Sequence, residues 1–61
     1  DRRVLAVGDI WRNDLEPAHR RGHDTALVGP WTDVAASPTF HADTLTELLP
    51  RIEAWAAASA P

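Results

Sequence analysis

Val4-Leu5-Ala6-Val7-Gly8-Asp9-Ile10-Trp11-Arg12-Asn13-Asp14-Leu15 is the stretch whose reading decides the fold. Val4 to Val7 form an unbroken apolar run with β-branched ends, closed by Gly8 and Asp9, which suits a strand better than a helix. A run without alternation predicts burial on both faces, as in a strand inside a parallel sheet. Asn13 and Asp14 then open a helix with Asp14 as N-cap and Pro17 at its third position, and Gly22 closes it as the C-cap. Leu15 and Ala18 are expected to face the sheet, with Glu16, His19 and Arg20 in solvent. Thr25 to Val28 make a second apolar strand, ended by Gly29 and Pro30. Strand, helix and strand in this order form a crossover whose two strands run parallel.

Downstream, residues 29–38 are rich in Pro, Ser, Thr and Asp and read as a loop holding Trp31. Thr39 to Ala42 form a short third strand. Thr44-Leu45-Thr46-Glu47 is a capping box for a helix with Leu45, Leu48, Leu49, Ile52 and Trp55 on its apolar side. Pro50 predicts a short turn over Leu45 to Leu49 and a main helix restarting at Pro50, with Ala56 to Pro61 as a fraying tail. The order is β-α-β-(β)-α, an α/β fold.

The 61 residues suffice for one small domain. A chain this short buries only about 60% of the surface it exposes when unfolded. The open edge at Val4 to Val7 therefore predicts completion by the rest of a larger domain, by another chain or by a further copy in a homo-oligomer. Asp1, Arg2 and Arg3 lead straight into the first strand without a signal peptide, so a processed or internal start and a cytoplasmic location are expected. Arg without Lys, together with many Ala, hints at a GC-rich bacterial source. A net charge of −3 has the wrong sign for non-specific binding to nucleic acid or an anionic membrane. No apolar run is long enough to span a bilayer, and without Cys there are neither disulfides nor thiolate zinc sites.

The chemistry concentrates around Asp9 and Asp14. One carboxylate stands at the carboxyl end of a buried strand and the other at the start of the following helix, on the crest where open α/β sheets bind ligands. Two converging carboxylates repel unless a cation lies between them. An all-oxygen pair suits Mg²⁺, which keeps several waters and takes one or two protein carboxylates. The plainer reading makes Asp14 a cap and Asp9 a turn former.

Taken together, Gly8-Asp9, Asn13-Asp14-Leu15, Ala18, Gly22 and Asp24 to Val28 resemble the fourth motif of the haloacid dehalogenase-like (HAD-like) hydrolase superfamily. Phe40 to Asp43 and Thr44 to Leu49 resemble that family's closing strand and last helix, so the likeness covers most of the chain. It implies the C-terminal part of a Rossmann-like, three-layer α/β/α domain, with residues 1–61 a partial domain. It also implies Mg²⁺-dependent hydrolysis of a small phosphorylated substrate, a phosphate monoester, through an aspartyl-phosphate. By position, Asp9 and Asp14 would be the metal-site acids, with Gly8 and Asn13 supporting the loop. The family's D-x-D nucleophile motif is missing from these residues, as is its Lys. The chain alone is thus expected to be inactive, with its upstream half supplied by the same domain or another chain. The competing class is a non-catalytic remnant or interaction piece held by a partner or by self-association.

Trp11 and Arg12 are candidates for substrate or loop contacts, Trp11 alternatively packing against the missing half and Arg12 alternatively solvated or held in a salt bridge. His19 and His23 read as surface residues and His41 as a strand-edge residue. Trp31 either lines the mouth of the site or pins its loop, and Trp55 belongs to the core or an interface.

Overall fold

The computed structural model describes residues 3–58. It is a mixed α/β arrangement of three parallel strands and two helices. Strand β1 (Leu5–Gly8) is followed by a π-helical turn (Trp11–Leu15) running into α1 (Glu16–Arg20), then β2 (Asp24–Val28), β3 (Phe40–Ala42) and α2 (Leu45–Ala58). The sheet order is β1-β2-β3. Leu5 lies opposite Asp24 and Gly8 opposite Leu27, while Ala26 lies opposite Phe40 and Val28 opposite Ala42.

Residues opposite one another in a parallel register share a face, and successive residues along a strand change face. Ala6 and Leu27 therefore share one face, where they pack with Trp11, Leu15 and Ala36. Asp24 and Ala26 lie on the other, and the Trp55 indole N–H of α2 donates to the Asp24 carboxylate at 2.6 Å. The two helices thus cover opposite faces. Central β2 is the best buried strand, with Thr25, Ala26 and Leu27 all enclosed. β1 is an edge, and Val7 remains 45% exposed. Its apolar run is covered on one face only by this chain, which leaves the open edge that the sequence led us to expect.

The first helix departs from expectation. Its coil begins at Trp11 rather than Asn13, because burying Trp11 and Leu15 together winds the loop into a wide π turn. Pro17 is the second residue of α1 rather than the third helical position. Asp14 is not the N-cap. Its carboxylate instead reaches back to accept the Ile10 N–H at 3.2 Å, while its own N–H bonds the Ile10 carbonyl at 2.9 Å. Gly22 does close the helix, with φ at 81°. The Gly22 N–H bonds the His19 carbonyl and the His23 N–H the Ala18 carbonyl, the paired pattern of a Schellman ending.

At α2 half of the capping box forms, the Glu47 carboxylate taking the Thr44 hydroxyl in place of the Thr44 backbone N–H. The Glu47 N–H donates to Thr44 Oγ1 at 3.2 Å, and the Thr44 hydroxyl donates to Glu47 Oε1 at 3.0 Å. The expected break at Pro50 is absent, since the helix runs unbroken from Leu45 through Ala58. Pro50 lies in the second turn, where its ring removes one bond to the Thr46 carbonyl, and both residues are exposed. Of the apolar side, Leu48 is fully buried, Ile52 and Trp55 are half-buried, and Leu45 and Leu49 stay near half exposure. The helix reaches Ala58, so the tail expected from Ala56 is shorter; residues 59–61, like Asp1 and Arg2 at the other end, lie outside the described residues. No helix among those described is long and apolar enough to cross a membrane.

Candidate functional site

Because all three strands are parallel, their carboxyl ends share one crest, built from the turn after Gly8, the loop after Val28 and the turn after Ala42. Asp9 stands at the first of these positions, exposed, with no hydrogen bond or ion pair to the described residues. Asp14 sits against the strand end. A Cβ added to Gly8 would lie 2.6 Å from Asp14 Cβ and 3.0 Å from Asp14 Oδ2. Gly8 therefore serves close approach rather than unusual backbone geometry. One Asp14 oxygen is spent on the Ile10 N–H, which fixes the carboxylate beside the crest and leaves the other oxygen free.

A cavity of about 170 Å³ opens between the turn after β1 and the loop after β2, walled by Ile10, Trp11, Leu27 and Pro30 and rimmed by Asp9, Thr32 and Asp33. Asp33, which the sequence reading passed over as one residue of a loop, thus shares this cavity with Asp9. No short sequence pattern marks it, since it lies five residues past the end of β2 within the loop. The loop is held in several places. The Trp31 indole N–H donates to the Asp33 carbonyl at 3.1 Å, Asp33 Oδ1 accepts the Ala35 N–H at 2.9 Å, and Ala36 is buried against the core. The Trp31 ring lies edge-on to His41, 5.4 Å between centroids, and His41 Nε2 is 2.7 Å from the Gly29 carbonyl oxygen. Trp31 accordingly pins its loop, and His41 is tied to backbone.

Two other assignments change. Trp11 is 4% exposed and packed by this chain's own Leu15, Leu27 and Ala36, with His19 tilted against it at 5.3 Å. It floors the cavity from inside the core and is not a free lid. Asn13, expected to order the loop, is exposed and makes no hydrogen bond to the described residues; Asp14 does that work. Arg12 is exposed and has no ion pair among the described residues. His19 is exposed and His23 half-buried.

The donors at the crest fit Mg²⁺ in kind. Carboxylate oxygen is its preferred protein ligand, and one or two such groups with retained waters make an ordinary site. Asp9 has no competing partner among the described residues, and Asp14 keeps one carboxylate oxygen unspent. Among the described residues no three His, Asp or Glu side chains converge.

No family model, curated protein or solved structure matches this chain. The functional reading therefore rests on the crest itself.

Proposed function

We propose that this chain is the metal-holding portion of a phosphoryl-transfer site, the C-terminal part of a HAD-like, Rossmann-like α/β/α hydrolase domain. The parent reaction is Mg²⁺-dependent hydrolysis of a small phosphate monoester. The observation that carries the reading is the disposition of two carboxylates at one strand end. Asp9 is exposed and unpaired on the crest, and Asp14 is locked beneath it against Gly8 by the Ile10 N–H. An exposed carboxylate at the carboxyl end of a parallel strand supports this reading, because carboxylate oxygen is the donor Mg²⁺ prefers and that strand end is where open α/β sheets bind ligands.

In this proposal Asp9 is the direct ligand, Asp14 orients a metal-bound water, and Gly8 is the space into which Asp14 folds. Mg²⁺, when bound, would offset negative charge on a phosphoryl group. The nucleophile is not among these residues, so the chain alone does not turn over substrate.

A second reading is favoured by one specific contact. The Asp14–Ile10 hydrogen bond is also what a purely structural loop brace would make, and the piece would then be a non-catalytic module held by a partner or by a further copy. The two readings separate in a Mg²⁺ titration of the folded chain followed by amide shifts. The site reading expects saturable shifts at Gly8, Asp9 and Asp14 that Asp9→Asn abolishes while the fold is retained. Shifts that ignore Asp9→Asn, or none, leave the brace.

A further inference from the structure

α2 is fastened to the sheet unevenly. Leu48 is its buried residue, and past it Ile52 and Trp55 are only half-buried while the other described side chains are exposed. Between Leu48 and Ile52, Pro50 leaves the Thr46 carbonyl without its helical donor. The far end of the helix is held by a cluster at the amino ends of β1 and β2, made by Arg3, Asp24 and Trp55. The Trp55 indole N–H donates to Asp24 Oδ2 at 2.6 Å. The Arg3 guanidinium lies over the Trp55 ring, 4.2 Å from its centroid, donates to the Trp55 carbonyl at 3.0 Å and stands 3.9 Å from Asp24 Oδ2.

An exposed ion pair at that distance contributes little by itself. Arg3 does three things at once, however. It stacks on the ring, supplies a donor to a carbonyl near the carboxyl end of a helix, and faces the carboxylate that receives the same ring's N–H. Each contact orders the others, so the residue before β1, the start of β2 and the end of α2 are joined as one network.

We propose that this cluster is a latch with Pro50 as its hinge. Residues 51–58 leave the sheet as a unit while Leu48 and the start of α2 stay docked, and Arg3 sets the closed population. Segments with few buried contacts are those that open below the global limit, and this one has none past Leu48. The device couples two points 52 residues apart in sequence. Whatever draws Arg3 away loosens the end of α2, and whatever holds that end open releases Arg3. The latch lies at the end of the sheet opposite the crest, so it does not rest on the metal-site reading.

Amide hydrogen exchange of the folded chain, followed by NMR, tests the proposal. In the unaltered chain the amides of residues 54–58 should share one opening, faster than that of Leu48 or of Leu27 in β2. Arg3→Met keeps an aliphatic stem but loses the guanidinium, and it should speed exchange at residues 54–58 by about five- to tenfold with Leu27 and Leu48 unchanged. Arg3→Lys keeps the charge without the planar fork and should fall between. Arg51→Met, on the same helix but outside the cluster, should change neither set. Unaltered exchange at residues 54–58 in Arg3→Met overturns the proposal, as does a rise shared equally by Leu27 and Leu48, which is global unfolding. Should Arg3→Met fail to fold, Asp24→Asn, which removes the charge facing Arg3 and keeps an acceptor for the indole, is read by the same criteria. The Mg²⁺ titration reads Gly8, Asp9 and Asp14, so the two claims fall separately.

Discussion

Gly8→Ala probes the join between strand and acidic loop. Gly8 does not have positive φ, so its backbone alone would accept Ala. On chain entropy the change should even stabilise, by about 0.4–1 kcal/mol. The structure reverses that sign, because the new Cβ would lie 2.6 Å from Asp14 Cβ, a side-chain stem that cannot swing aside. Either the strand end distorts, at about 1–3 kcal/mol for overpacking, or Asp14 withdraws and forfeits its exposed bond to the Ile10 N–H, worth about 1 kcal/mol. Set against the entropy gain, a net destabilisation of about 0–2.6 kcal/mol is expected, larger where the strand end distorts than where Asp14 withdraws. The upper end is a large share of the roughly 3–9 kcal/mol that about 0.05–0.15 kcal/mol per residue allows a chain of this length.

The assay is urea unfolding followed by circular dichroism, repeated in two backgrounds. Asp14→Ala keeps the offending Cβ, so Gly8→Ala should remain costly there. Asp14→Gly removes it, and Gly8→Ala should then be neutral or mildly stabilising. Equal costs in both backgrounds would refute the close-approach argument.

Other outcomes follow from single contacts. Trp11→Ala empties a core position that is 4% exposed and should cost about 3–5 kcal/mol, leaving much of the chain unfolded at room temperature by near-UV circular dichroism. Thr44→Ala removes the box at the start of α2 and should cost about 0.5–2 kcal/mol in urea unfolding, whereas Thr44→Ser should cost little. Trp55→Phe keeps an aromatic side chain but loses the indole N–H to Asp24, with an expected loss of about 1 kcal/mol in the same assay.

The sheet was readable because its signals are local. The runs at Val4 to Val7 and Thr25 to Val28, the stop at Gly22 and the box at Thr44 each depend on neighbours within a few residues, and each appears within a residue or so of its expected place. The misreadings came where distant packing overrules local preference. Nothing near Trp11 in sequence reveals that Leu27 and Ala36 will enclose it, yet that enclosure starts the helix early and frees Asp14 from capping. Pro50 looks like a break, but in the second turn of a helix docked through Leu48 it costs only one exposed hydrogen bond. At the crest, Asp9 and Asp14 could be placed from spacing, whereas Asp33 could not. Its approach to Asp9 depends on a loop folded back by Trp31 and Ala36, which no short pattern encodes.

The central claim is that Asp9 and Asp14 form a cation site, and Mn²⁺ as a paramagnetic stand-in for Mg²⁺ tests it most directly. Trace Mn²⁺ added to the labelled chain should broaden the amides of Gly8, Asp9, Ile10 and Asp14 first, excess Mg²⁺ should reverse it, and Asp9→Asn should abolish it. Broadening centred instead on Asp43 and Glu47, which line a second, open cavity beside β3, or spread evenly over exposed carboxylates, would contradict the account.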